Sequence, residues 1–198
     1  MFVSFEGLDG SGKTTQAELL RARLEADGEE VVATREPGGT ELGERIRELV
    51  LHGGDIMPWA EALLYAAARA QHVEQVIRPA LERGESVICD RYVDSSAAYQ
   101  GVGRGLGLDV VLDLNLAAVG GLMPDRTFLL LLDPSEIPSR LRREHDRLER
   151  ESDDFHARTA DGYRELAARF PERIVVLEGT RPAEELAEEV YGALRVSA

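Results

Sequence analysis

Glu6–Thr15, EGLDGSGKTT, decides how this chain is read. Gly7, Leu8, Asp9, Gly10, Ser11, Gly12, Lys13 and Thr14 spell G-x-x-x-x-G-K-[ST] without a mismatch. Before it, Met1 to Phe5 is an apolar run of strand length; after it, Ala17, Leu20 and Leu24 repeat at helical spacing. The glycines let the backbone turn tightly so that successive N–H groups line one anion-holding concavity, reinforced by the N-terminus of the next helix. Lys13 reaches the outer phosphates in such a loop, and the Thr14 hydroxyl binds Mg²⁺. A glycine turn that merely caps a helix would explain the string but not its strand–loop–helix setting. Lys13 is also the only lysine in the chain; every other cationic side chain of the Lys/Arg type is arginine.

The composition narrows the remaining choices. With 198 residues, 43% of them hydrophobic, the chain is read as one domain, 1–198, with no linker and no internal repeat. A net charge of −14 argues against a nucleic-acid partner, so any phosphate site is a local basic pocket in an acidic exterior. The sole cysteine, Cys89, excludes an internal disulfide and fits a reducing compartment. No apolar run reaches membrane-spanning length and the N-terminus opens into a strand, so a cytoplasmic protein without a membrane partner is expected. The four histidines show no metal-ligand spacing and receive no catalytic role.

Outward from the loop, apolar runs at Glu29–Thr34, Ser86–Cys89, Phe128–Leu132 and Ile174–Leu177 predict four more strands. Between them, helical periodicity is read after Thr40, from Trp59 to about Arg83 with a kink at Pro79, from Asp94 to Tyr99, from Asp109 to Val119, through Tyr163 and Leu166, and after Pro182. Gly101–Gly107 is expected to be a mobile loop. Continuous apolar strands alternating with helices predict an α/β three-layer sandwich of the P-loop NTPase type, a five-stranded parallel sheet with helices on both faces. Glu6, Arg35, Asp90 and Asp133 then share the carboxyl edge of that sheet, where ligands bind.

A GTPase reading guanine through Asn-Lys-x-Asp is excluded, because Lys13 is the only lysine. The candidate carboxylates ending strands are followed by Arg91 and Pro134, which leaves no Asp-Glu pair to activate water. A phosphotransferase needs cations and a second phosphate site rather than a strong base. Arg35, Arg47, Arg69 and Arg91, placed at strand ends or on helices just behind them, can supply both.

Four ordered segments then carry a resemblance over nearly the whole chain. They are the phosphate loop with Phe5-Glu6 before it, Thr34-Arg35-Glu36-Pro37-Gly38-Gly39-Thr40, Glu61–Arg69 (EALLYAAAR), and Asp90-Arg91-Tyr92 with Ser95, Ser96, Tyr99, Gln100 and Gly101. Together they resemble the thymidylate kinase family of P-loop nucleoside monophosphate kinases. The resemblance implies phosphorylation of dTMP to dTDP with ATP over Gly7–Thr15 and Mg²⁺ on Thr14 and, through water, Asp90. It implies thymine stacked on Tyr65, where phenylalanine is commoner, with Arg69 on the base O4 and Ser96 and Gln100 in the same pocket. Glu36 belongs to that site, Tyr99 sits beneath the deoxyribose, and Arg35, Arg47 and Arg91 hold the dTMP phosphate. Asp9 helps order the metal shell. Because the phosphate loop lacks arginine, a lid at about 140–154 is expected to provide the transition-state cation from Arg142, Arg143 and Arg147. A homodimer through the 59–81 helix is implied as well. A kinase for another monophosphate, or an ATP-binding module without turnover, are the alternatives.

Overall fold

The computed structural model describes residues 1–136 and 146–195. Five strands, β1 (Phe2–Gly7), β2 (Val31–Arg35), β3 (Ser86–Asp90), β4 (Arg126–Leu131) and β5 (Ile174–Glu178), form one parallel sheet in the order β2-β3-β1-β4-β5. Side chains alternate across a strand, so each apolar run feeds two cores at once. Val3, Phe5, Ile88, Phe128 and Leu130 pack against Leu20 and Leu24 of α1 (Lys13–Ala26) and Leu186 and Val190 of α8 (Ala183–Arg195). Phe2, Val87, Cys89 and Leu129 face the opposite layer. That layer includes α2 (Glu41–His52), α3 (Pro58–His72), α4 (Arg78–Glu82), α5 (Val93–Ser96), α6 (Leu108–Ala118) and α7 (Asp153–Arg169). This is the three-layer P-loop NTPase architecture.

Register explains why distant residues meet. Phe5 and Arg35 both pair with Asp90, so β1, β2 and β3 end in one row. Arg91 N donates to Phe5 O at 2.9 Å and Glu36 N to Asp90 O at 3.0 Å, carrying the ladder one residue beyond the strands. The loop after central β1 therefore opens into a crevice flanked by the chain leaving β2 and β3.

Several local expectations change. β2 is Val31–Arg35 rather than 29–34, because Arg35 is drawn into the ladder by Asp90. The long helix does not run to Pro79 and kink there: it widens into a π-helical turn, Val73–Ile77, before α4 begins with Pro79 in its first turn. A wider turn accommodates the missing proline N–H and its ring. The first three residues of the predicted mobile glycine loop are helical: Ala97–Gly103 forms a second π-helical segment, with Gly101 and Gly103 buried. A Cβ on Gly103 would stand 2.7 Å from Thr159 Oγ1 and 2.9 Å from the Phe155 ring, so the glycine permits close packing on α7.

Arg140, Arg142 and Arg143 of the expected lid lie outside the described residues. Beyond them, Asp146, Leu148 and Glu149 are buried, at and within a turn. Arg147 goes to Glu61 and Glu151 to Arg104.

Candidate active site

The phosphate loop is built for an anion. α1 starts from Gly12, at φ 98°, with no side chain capping it. Its first N–H groups are therefore available to a ligand. Gly7, at φ 138°, has no room for a Cβ, which would sit 2.4 Å from Leu130 O. The Ser11 hydroxyl is buried without a hydrogen-bond partner, and Lys13 Nζ folds back onto Leu8 O at 2.8 Å. An orphaned hydroxyl, open amides and a lysine resting on a carbonyl fit a polyphosphate. Burial first, then Arg91, lowers the Lys13 pKa to about 8. Thr14 Oγ1 donates to Asp90 Oδ2 at 2.6 Å, so the two expected metal-shell residues are adjacent across the β3 end.

Arg91 is the hinge of the site. It holds φ 70°, an uncommon backbone state for a side-chain-bearing residue and one associated with functional strain. Its Nη1 donates to Gly7 O (2.9 Å), Ser95 Oγ (3.1 Å) and Tyr163 OH (3.2 Å); Nη2 donates to Asp9 Oδ1 (2.7 Å) and Tyr99 OH (3.3 Å). Burial alone would raise the Asp9 carboxyl, but Arg91 and Lys13 outweigh it and hold Asp9 well below the ordinary carboxylate range.

Beneath this lies Glu6, which accepts from Tyr92 N (2.7 Å), Ser95 Oγ (2.5 Å) and Tyr163 OH (3.1 Å). Burial, then the neighbouring Asp94, pushes its pKa up to about 7. The folded state thus binds a proton more tightly than the unfolded chain between about pH 4.5 and 7, and this contribution to stability is lost as pH rises through that window. Glu6→Gln is expected to remove that slope, on the order of 3 kcal/mol between its ends. Thermal melts of both proteins from pH 4.5 to 8 would show it; parallel Tm curves would refute the assignment.

Two cavities open on this row. One is walled by Glu36, Arg47, Tyr65, Arg69, Arg91, Ser96, Tyr99 and Gln100, eight of the nine residues expected around the acceptor. Sequence reasoning did not anticipate its other walls, among them Leu51, Ser95, Asp146 and Leu148. The second is lined by Gly10, Gly12, Lys13, Thr14, Thr15 and Asp90. Arg35, the ninth expected acceptor residue, lies here instead, half-exposed and paired with Glu44 at 2.9 Å. Its place at the very end of edge strand β2 turns it toward the loop side. Asp9, Glu36, Arg47 and Arg91 line both cavities.

Arg69 is fully committed in orientation. Nε donates to Glu36 Oε2 (2.6 Å), Nη1 to Ser96 Oγ (3.0 Å) and to Asn115 Oδ1, and Nη2 to Tyr92 O (3.0 Å). Four of its five N–H groups are thus used, which leaves one on Nη2, and Arg69 lines the cavity. Behind Glu36, His72 bridges Glu36 Oε1 (2.8 Å) and Thr34 Oγ1 (2.7 Å), so the histidine set aside on spacing props the residue that aims Arg69. Arg147 Nη2 sits on buried Glu61 at 2.5 Å and its Nε on Val50 O.

A phosphate loop sharing a wall with an arginine-lined second cavity defines a phosphotransferase of the nucleoside monophosphate kinase class. The thymidylate kinase family profile matches residues 5–190. The chain is similar to a thymidylate kinase of Bifidobacterium longum (strain NCC 2705), 55% identical over 93% of this chain and 92% of that one. It is 51% identical to a thymidylate kinase of Deinococcus radiodurans over 98% and 96% of the two chains. The crystal structure of thymidylate kinase from Ehrlichia chaffeensis aligns with TM-score 0.80 at 35% identity, covering 98% of both chains. The chain belongs to the thymidylate kinase family.

Proposed function

We infer that the chain transfers the γ-phosphoryl group of ATP to dTMP, giving dTDP and ADP. The observation that carries this reading is the wall shared by the two cavities, Asp9, Glu36, Arg47 and Arg91, which brings donor and acceptor phosphates together at Arg91. An oxygen of the dTMP phosphate attacks the γ-phosphorus as the bond to the β–γ bridging oxygen breaks, and no strong base is required. Lys13 and the loop amides hold the donor. Arg47 and Arg91 hold the acceptor phosphate, Tyr65 offers its ring to the base, and Tyr99, which donates to Asp9 at 3.1 Å, closes the space a ribose 2′-hydroxyl would need. Thr14 and, through water, Asp90 would hold Mg²⁺, which would supply charge neutralisation to the triphosphate. Arg142, Arg143 and Arg147 are the proposed lid cations of a single domain with its lid near 140–154.

A coupled ADP-release assay offering dTMP, UMP, dCMP and AMP, with and without excess EDTA, tests the reading. Turnover on dTMP that vanishes with EDTA is expected. Preference for a ribonucleotide would refute the Tyr99 argument, and ATP binding without turnover would leave only a binding module.

The assembly reading is a homodimer through α3. Met57, Trp59 and Leu63 are exposed there, Trp59 at 47% and Leu63 at 52%. Such apolar exposure on one helix suits a protein partner. Sedimentation at micromolar concentration should give a dimer that Leu63→Glu converts to monomer; a wild-type monomer would refute it. No helix among the described residues is long and apolar enough to cross a membrane, and the net charge of −14 speaks against nucleic acid. A cytoplasmic location completes this reading.

A further inference from the structure

One fully buried carboxylate has no part in the chemistry above. Glu61, in the first turn of α3, is 0% exposed. Its Oε1 accepts from Gln100 Nε2 at 2.9 Å and Arg104 Nε at 3.2 Å; its Oε2 accepts from Arg104 Nη2 at 3.1 Å and Arg147 Nη2 at 2.5 Å. A carboxylate clamped by two guanidinium groups accepts hydrogen bonds and donates none. That settles the Gln100 amide. Its two ends are nearly the same shape, and a neighbour decides which one faces a ligand. With the NH₂ committed to Glu61, the carbonyl oxygen Oε1 is the end left for the cavity that Gln100 lines.

We propose that Glu61 is a specificity-positioning residue: it locks Gln100 with its acceptor toward the base, beside the donor offered by Arg69. The inference rests on the dTMP reading of this cavity. A donor next to an acceptor complements the O4 and N3–H of thymine. Cytosine presents the inverse pattern, an N4 amine and a bare N3, and meets donor against donor and acceptor against acceptor. Sites that leave buried polar groups mismatched reject a base analogue far more strongly than apolar pockets do. Arg104 and Arg147 keep the lock one-sided, because an uncompensated Glu61 would be costly to bury.

Glu61→Gln is nearly isosteric but can offer either a donor or an acceptor, so Gln100 becomes free to rotate. Steady-state kcat/KM for dTMP and dCMP, with ATP affinity measured separately, provides the test. KM for dTMP should rise about tenfold with kcat and ATP affinity little changed. The dTMP:dCMP ratio should fall ten- to a hundredfold, and not at all further in a Gln100→Leu background. A folded Glu61→Gln protein with the wild-type ratio would overturn the proposal. Should that variant not fold, the wild-type protein still decides. The Gln100 side-chain NH₂ signals, assigned by their loss in Gln100→Leu, should remain protected from solvent exchange with and without dTMP. Protection that appears only with dTMP would show that the NH₂ faces the base and would also overturn it. A wild-type enzyme that does not turn over dTMP would instead refute the function on which the inference rests.

Discussion

Arg91→Ala is expected to lower kcat/KM for dTMP by about a thousandfold or more and to destabilise the fold at the same time. The kinetic loss follows from removing the cation on the wall between the cavities, where charge is carried from donor to acceptor. The stability loss follows from Asp9, whose carboxylate would lose the guanidinium 2.7 Å away. Fully buried pairs broken on one side lose about 3–5 kcal/mol, and this pair, partly open to solvent, should lose on the order of 2. ATP affinity should fall much less, because Lys13 and the loop amides remain. Arg91→Gly separates the two effects. It loses the same guanidinium but accepts φ 70° freely, so it should match the alanine variant kinetically and exceed its stability by about 1 kcal/mol. Kinetics, ATP calorimetry and melts on the pair provide the check. An alanine variant within tenfold of wild type would remove Arg91 from the centre of the site.

Lys13→Ala should cost about two to three orders of magnitude in kcat, the scale of a preorganised charge lost at a developing anion. The wild-type lysine carries a further signature. In the empty loop its pKa lies near 8, so the charged form dominates below that pH and is lost as pH rises through it. Bound phosphate favours the ammonium and raises the pKa again. ATP affinity should therefore decline above pH 8, and binding between about pH 8 and 9 should take up a proton. Calorimetry in two buffers of different ionisation enthalpy would measure that uptake. Its absence in wild type, or its persistence in Lys13→Ala, would contradict the role given to this side chain.

Much of the architecture was legible in advance because it is locally encoded. Central strands buried on both faces are largely apolar, and the edge strands β2 and β5 still carry apolar runs, so all five announced themselves, with ends displaced by a residue or two. Helix endings were less legible. The π-helical turns Val73–Ile77 and Ala97–Gly103 look like ordinary periodicity or like a glycine loop, since what fixes them is packing on neighbours such as Phe155 and Thr159. Around the site, eight of nine expected acceptor residues line one cavity because their motifs sit directly after strands or one helical turn behind them. The ion-pair partners of Arg35 and Arg147 were not legible, for a shared reason. An arginine reaches far, and the carboxylate that captures it, Glu44 or Glu61, is chosen by which helices pack together.

The sequence by itself determined the phosphate loop and the parallel sheet, because contiguous residues supply every group involved: glycine backbone freedom, main-chain amides, one lysine, and unbroken apolar runs. Only the tertiary structure decided the network beneath the site. Glu61 meets Gln100 across 39 positions and Arg147 across 86, while Arg91 meets Tyr163 across 72. Buried charge must find its counter-charge in space, and no spacing along the chain records where that will be.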